Sequence, residues 1–294
     1  MPQSLSPALV AAVDDLEVVA RLIVEGTRSG QHRSPFHGFS NEFSQYRAYR
    51  PGDDLKYLDW KALARSDRLY TRQFRETTNM SAMICLDGSG SMAYPEEGLS
   101  KFRYASMMAA ALAHLIVMQG DAVGLMTMQG GRLVYVPARG GRGHLRTVLA
   151  QIDKLEPEGA WDPRLVIPRS ADLLKRRGLV CVISDFYDSP DETRVELRRV
   201  NRRGHDVALL QIVSKEEVEL PFSGDLEFED LENGSHVMLD PRRSRTAYRN
   251  AIAAFLEGWR FGAKRDGFDY ALMTTDEAPS EALRGYLLRR GATR

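Results

Sequence analysis

The chain has 294 residues, 43% of them apolar and 27% charged, which is the composition of a globular protein able to bury a sizeable core. Lysine plus arginine equals aspartate plus glutamate, at 40 each, so no global field draws nucleic acid or an anionic membrane surface. No basic-then-apolar leader opens the chain, no apolar run approaches the roughly 20 residues a membrane span needs, and Cys85 and Cys181 both sit in apolar strand-like runs. Buried reduced thiols and a cytoplasmic location are therefore expected.

Apolar side chains at Leu9, Ala12, Val13, Leu16, Val19, Ala20, Ile23 and Val24 recur with a helical period and predict an amphipathic helix over 8–25. Residues 28–61 show little periodicity and much Ser, Gly, Arg and Tyr. Pro51-Gly52-Asp53-Asp54 signals a turn, and Asp59 caps a short predicted helix through Trp60, Lys61 and Arg65. Residues 68–74 alternate like a half-buried strand. The near-continuous apolar run 81–86 has the pattern of a central parallel strand covered on both faces. A helix capped by Ser100 should run to about Gln119, with Gly120 just past its end. Strands follow at 122–128 and 132–136, the second alternating and so nearer an edge, then helices at 145–155 and 165–175. Further strands are predicted at 179–183 and 207–213, with a charged helix at 192–203 between them. Residues 226–240 read as a hairpin turned by Asn233-Gly234. A helix through Tyr248, Ile252, Phe255, Trp259 and Ala263, a strand at 268–274 and a helix opened by Pro279 complete the chain. The alternation predicts an α/β fold with a mostly parallel sheet flanked by helices.

The stretch that carries chemistry is Asp87-Gly-Ser89-Gly-Ser91-Met92, directly after the apolar run 81–86. Ligands of open α/β sheets bind beyond the carboxyl ends of such strands. One carboxylate and two hydroxyls are hard oxygen donors suited to a magnesium-like cation that keeps some of its waters. The same residues also fit an ordinary polar turn. Asp185 ends another buried strand and either joins Asp87 at the site or caps the next helix. Asp162, in Gly159-Ala-Trp161-Asp162, is a further oxygen donor. Ser89 has glycines immediately beside it, the wrong spacing for a nucleophile elbow. None of the six histidines sits beside the loop or forms a local metal pair, and no Walker-type phosphate loop occurs. The basic loop from Arg139 to Arg146 reads as solvated surface on a neutral protein. An ion held mainly by neutral hydroxyls keeps positive charge and can take a carboxylate from a partner protein, which is a binding mechanism needing neither base nor nucleophile. The competing reading is a metal-dependent phosphoester or ester hydrolase using Asp87 and Asp185.

Asp87-x-Ser89-x-Ser91-Met92, with α/β alternation and Ser184-Asp185 further on, resembles a von Willebrand factor A domain with its metal-ion-dependent adhesion site. Gly30–Ser34, Gly38–Phe43, Tyr46–Asp54, Asp59-Trp-Lys61, Ala64-Arg65, Lys101-Phe-Arg-Tyr104, Gln119-Gly-Asp121, Ser184-Asp-Phe186 and Asp230-Leu-Glu232 are similar to the bacterial family of domain of unknown function number fifty-eight. The resemblance covers nearly the whole chain. It implies a von Willebrand factor A-like, Rossmann-type domain over 80–294 with a hairpin insertion at about 216–245, preceded by an N-terminal helix and extension over 1–79 packed on it. It further implies a non-enzymatic adaptor for a MoxR-type AAA+ ATPase, with a client protein supplying a carboxylate. Asp87, Ser89 and Ser91 match the family's first adhesion motif and Asp185 its later aspartate. Trp161 stands where the usual threonine ligand would be, so Asp162 or a water would complete a magnesium site. The charges Arg47, Asp53, Asp54, Asp59 and Arg65 would pair to pin the N-terminal segment, the alternative being a surface for a partner.

Overall fold

The computed structural model describes residues 6–7, 13–28, 41–48, 69–76, 80–95, 97–224, 226–229, 236–239 and 241–292. The chain divides into one unit of Phe36–Met80 and another of Met1–Pro35 with Ser81–Arg294. In the smaller unit β1 (Asn41–Ala48) pairs antiparallel with β2 (Tyr70–Glu76), and the register shifts between Phe43 and Gln45. β2 is the alternating strand expected at 68–74. The helix predicted from Asp59 lies outside the described residues. So do the side chains whose charges were expected to pin the N-terminal segment.

The larger unit is built on six strands in the order β10-β7-β6-β3-β4-β5. They are β3 (Ser81–Leu86), β4 (Ala122–Gln129), β5 (Arg132–Arg139), β6 (Leu179–Ser184), β7 (Asp206–Val213) and β10 (Asp269–Thr274). All neighbours are parallel except β5, which returns antiparallel beside β4 and forms one edge. Its alternating exposure is what an edge strand with one wet face requires. β3 and β6 are buried almost throughout. Successive side chains of β3 point to opposite faces, so Met83 and Cys85 enter one core while Ala82, Ile84 and Leu86 enter the other. Burying a side chain such as Ile84 or Leu86 contributes roughly 1.5–3 kcal/mol, which fixes this strand at the centre.

α2 (Lys101–Met118) lies over β3, β4, β6 and β7. Ser100 caps it by accepting from the Arg103 amide at 3.2 Å, and Gly120 leaves it at φ 84°. On the same side α2 supports α1 (Leu16–Arg28), α3 (Arg142–Ile152) and α8 (Pro279–Ala292). The opposite core is closed by α4 (Pro163–Asp172) on β3, β4 and β6, by α5 (Pro190–Arg202) on β7 and by α7 (Pro241–Asp266) on β10. α1 begins later than the apolar period suggests. Residues 13–15 are not helical, and the Asp15 carboxylate accepts from the Glu17 and Val18 amides as an N-cap. α1 thus belongs to the larger unit, on the α2 side of the sheet.

The hairpin is present as β8 (Leu226–Glu229) paired with β9 (His236–Leu239), with its Asn233-Gly234 turn outside the described residues. It lies between a short helix, α6 (Lys215–Glu219), and α7. The sequence reading missed α6, although Ser214 and Glu217 form a full capping box at its start. Two connections decide where a site can form. β3 runs through α2 to β4 on one side, and β6 runs through α5 to β7 on the other. The winding direction therefore reverses between the adjacent strands β3 and β6, which is where open α/β sheets form a ligand crevice.

Candidate functional site

Asp87 and Asp185 follow β3 and β6 directly, and both are 1% exposed. The Asp87 amide donates to the Ile183 carbonyl at 2.9 Å, which carries the sheet pairing one residue past β3 and holds the two loops side by side. Beyond Asp87 the loop turns over Gly88, where an added Cβ would lie 3.2 Å from the Met128 carbonyl. The Ser89 amide donates to Asp87 Oδ1 at 2.9 Å, closing an Asx-type turn. That turn brings the Ser89 and Ser91 hydroxyls to 3.1 Å from each other. Ser91 Oγ in turn donates to Asp185 Oδ2 at 2.9 Å. Four of the five predicted ligands, Asp87, Ser89, Ser91 and Asp185, are thus one connected cluster.

Asp162 has a different position. It is the N-cap of α4, its carboxylate accepting from the Arg164 amide at 2.9 Å and from the Arg164 guanidinium at 3.2 Å. Its loop still borders the site, because Gly90 donates to the Gly159 carbonyl and Glu158 to the Gly88 carbonyl, each at 2.8 Å. Trp161 is buried in the core with Met128 and Phe186.

The structure adds residues to which the motif reading assigned no role at the site. Ser184 Oγ donates to Asp87 Oδ2 and accepts the Phe186 amide at 2.8 Å. Phe186 sits at φ 60°, a conformation costly for a non-glycine residue, and its ring packs 4.6 Å from that of Trp259. The Asp185 carbonyl accepts from the Gln211 amide group at 2.8 Å, and Gln211 is oriented by the Tyr270 hydroxyl at 2.7 Å. Most consequential is Lys101, the first residue of α2. Its side chain is fully buried, and its ammonium lies 2.8 Å from Asp185 Oδ2, in contact with Glu217 Oε1 and 4.8 Å from the centre of the Tyr187 ring. Glu217 Oε2 accepts from the Ser214 amide at 2.8 Å as the second half of the α6 capping box.

The electrostatics follow from this burial. Burial alone would push the Lys101 ammonium down, but Asp185 and Glu217 outweigh it and hold Lys101 above its ordinary value, so it is charged. Burial and then the neighbouring Asp185 raise the Asp87 carboxyl well above the usual carboxylate range. Burial also raises Glu217, against the pull of Lys101. Asp185 and Glu217 share one ammonium, and Asp87 stands beside Asp185 without contacting that ammonium, so the three carboxylates with Lys101 form a cluster two charges negative when fully ionised. A buried excess of that size requires either a proton or a cation. With hydroxyl oxygens already gathered beside Asp87, the donor set fits a hard divalent cation.

Residues 45–256 match the family described as Protein of unknown function DUF58. The chain belongs to that family. Rv1480 of Mycobacterium tuberculosis and Mb1516 of Mycobacterium bovis are each 30% identical to it over 264 residues, covering 86% of this chain and 82% of theirs. YeaD of Bacillus subtilis is 28% identical over 120 residues, covering 40% of this chain and 28% of its own. Among solved structures, BatB from Bacteroides thetaiotaomicron superposes with a TM-score of 0.49 at 14% identity, over 72% of this chain and 98% of BatB. The Rpn10 VWA domain superposes with a TM-score of 0.45 at 11% identity, over 70% and 94% of the two chains. Among the described residues of this DUF58 member, no helix is long and apolar enough to cross a membrane.

Proposed function

We propose that the chain is a protein-binding adaptor without catalytic activity of its own, whose contact point is a divalent cation, magnesium by its hard-oxygen donor set, held by Asp87, Ser89 and Ser91 in front of Asp185. The observation that carries this reading is the convergence of those four side chains at the crevice between β3 and β6, with more buried negative charge than Lys101 neutralises. When bound, the ion supplies a positive centre on which a carboxylate from another protein completes the coordination shell. Ser91 is only partly buried, so the open side of the cluster is the side of the Asp87 loop. In this reading Asp162 serves the site by anchoring the neighbouring loop at the head of α4.

The adaptor works with a MoxR-type AAA+ ATPase, delivering an acidic surface of a client protein during assembly or maturation of a complex. It does so in the cytoplasm, where the buried thiols Cys85 and Cys181 stay reduced. The hydrolase alternative has one observation on its side, the raised carboxyl of Asp87. The basic side chain in the cluster, Lys101, is however charged and paired with Asp185 and Glu217, so it cannot serve as the base that activates a water.

The test is affinity capture from cells with the wild type and Asp87→Ala, each with magnesium and with chelator. Capture of a AAA+ ATPase by the wild type supports the adaptor, and its loss in Asp87→Ala or on chelation supports the metal contact. If no AAA+ ATPase is captured the adaptor reading fails. Equal capture by the variant removes the metal from the mechanism.

A further inference from the structure

Lys101 is held as few lysines are. Its backbone amide donates to the Tyr94 carbonyl at 2.9 Å at the head of α2, and its side chain is fully buried with Asp185 and Glu217 as partners. The Asp185 oxygen it contacts, Oδ2, is the same atom that accepts from Ser91, 2.9 Å away. The ammonium therefore stands against the candidate ion site with only the Asp185 carboxylate between them. Glu217 cannot follow a moving lysine freely, because its other oxygen is fixed to the Ser214 amide.

We propose that Lys101 is a tethered cation that competes with the exchangeable divalent cation for Asp185 and so sets how tightly this site holds its ion. The inference rests on the cation-site reading given above. With Lys101 in place, Asp185 is partly neutralised by an ammonium it shares with Glu217, and Asp87 is the carboxylate of the three that the ammonium does not contact. Two consequences have the same origin. The ion is held loosely, and it keeps more of its positive charge for an acidic group of a partner. The lysine is a positioning residue for Asp185, and its effect is electrostatic.

The test is calorimetric titration of the full chain with Mg2+ and with Mn2+. Lys101→Met removes a positive charge a few ångströms from the site and frees Asp185 Oδ2, so at least about tenfold tighter binding is expected. Glu217→Gln removes a negative charge and leaves the ammonium to Asp185 alone, so binding weakens several-fold. Lys101→Met leaves Glu217 buried without its cation, so the double variant Lys101→Met with Glu217→Gln guards against misfolding and should bind about tenfold tighter than Glu217→Gln alone. A wild type that binds no ion while the Lys101 variants do also supports the proposal. If the wild type binds an ion, Asp87→Ala does not, and the Lys101 variants bind no tighter, the proposal is overturned and the site reading stands. If no chain binds an ion, both are overturned.

Discussion

Asp87 and Asp185 are held by each other's loops. Ser184, beside Asp185, donates to Asp87 Oδ2, and Ser91, in the Asp87 loop, donates to Asp185 Oδ2 at 2.9 Å. The exchange locks two buried carboxylates together, although like charges in a low-dielectric crevice repel. Ser184 is buried and also accepts the Phe186 amide, which holds that residue at its positive φ, whereas Ser91 is partly exposed. Ser184→Ala should therefore cost about 1–3 kcal/mol in urea unfolding, and Ser91→Ala distinctly less.

Gln211 is the buttress behind the pair. It is fully buried and connects the Asp185 carbonyl to the Tyr270 hydroxyl. Gln211→Leu fills the same space but leaves both partners unsatisfied, so a loss of about 2 kcal/mol is expected. Tyr270→Phe removes only the outer bond and should cost about half as much in the same assay.

Two glycines give opposite expectations. A Cβ on Gly178 would lie 2.1 Å from the Ser81 carbonyl oxygen at the foot of β3, which cannot move without disturbing the central pairing. Gly178→Ala should destabilise by about 3 kcal/mol or more, or prevent folding. Gly143 is an exposed residue of α3 with open space where the methyl would go. Gly143→Ala should be neutral or raise stability by up to about 1 kcal/mol.

The thiols should be silent. Burial pushes both Cys85 and Cys181 up to about 12, and both are free. Iodoacetamide at pH 8 should label neither in the native protein within an hour and both after denaturation, as counted by intact mass. Rapid native labelling would show that the central strands open locally.

Acid should weaken the fold partly through His205. Burial, with Arg203 and Arg177 nearby, lowers this imidazole below its ordinary value of 6.5. As pH falls through about 6.5 the unfolded chain takes up the proton before the native one does, so stability falls. The contribution is fully present above pH 6.5 and is lost as pH drops toward the lowered native value. His205→Gln should flatten the decline in the urea midpoint between pH 7 and pH 5. An unchanged slope would remove His205 from the account.

The sheet could be read from the sequence because its signals are local. The apolar run before Asp87, the Ser100 cap, Gly120 after α2 and the alternation of β5 each depend on a few adjacent residues. The clustering of Asp87, Ser89, Ser91 and Asp185 follows once two such strands are placed side by side. Lys101 could not be read in the same way. At the first turn of a helix it has the look of a solvated charge, and its partners lie 84 and 116 residues further along the chain. Glu217 did carry a local signal, the Ser214-to-Glu217 capping box, which explains one of its oxygens but not the one that meets Lys101. Asp162 also carried one, since an aspartate before Pro163 is an N-cap followed by proline at the first helical position. That pattern favours the role of helix cap, the role its carboxylate has.

Asp87 and its two serines are proposed to form a site for one divalent cation. Titration of the full chain with Mn2+, followed by the loss of the free-ion electron paramagnetic resonance signal, tests it most directly. One ion should bind per wild-type chain and none at the same concentrations in Asp87→Ala or in Ser89→Ala with Ser91→Ala, each with native circular dichroism. Equal binding by the wild type and the folded Asp87→Ala chain would contradict it.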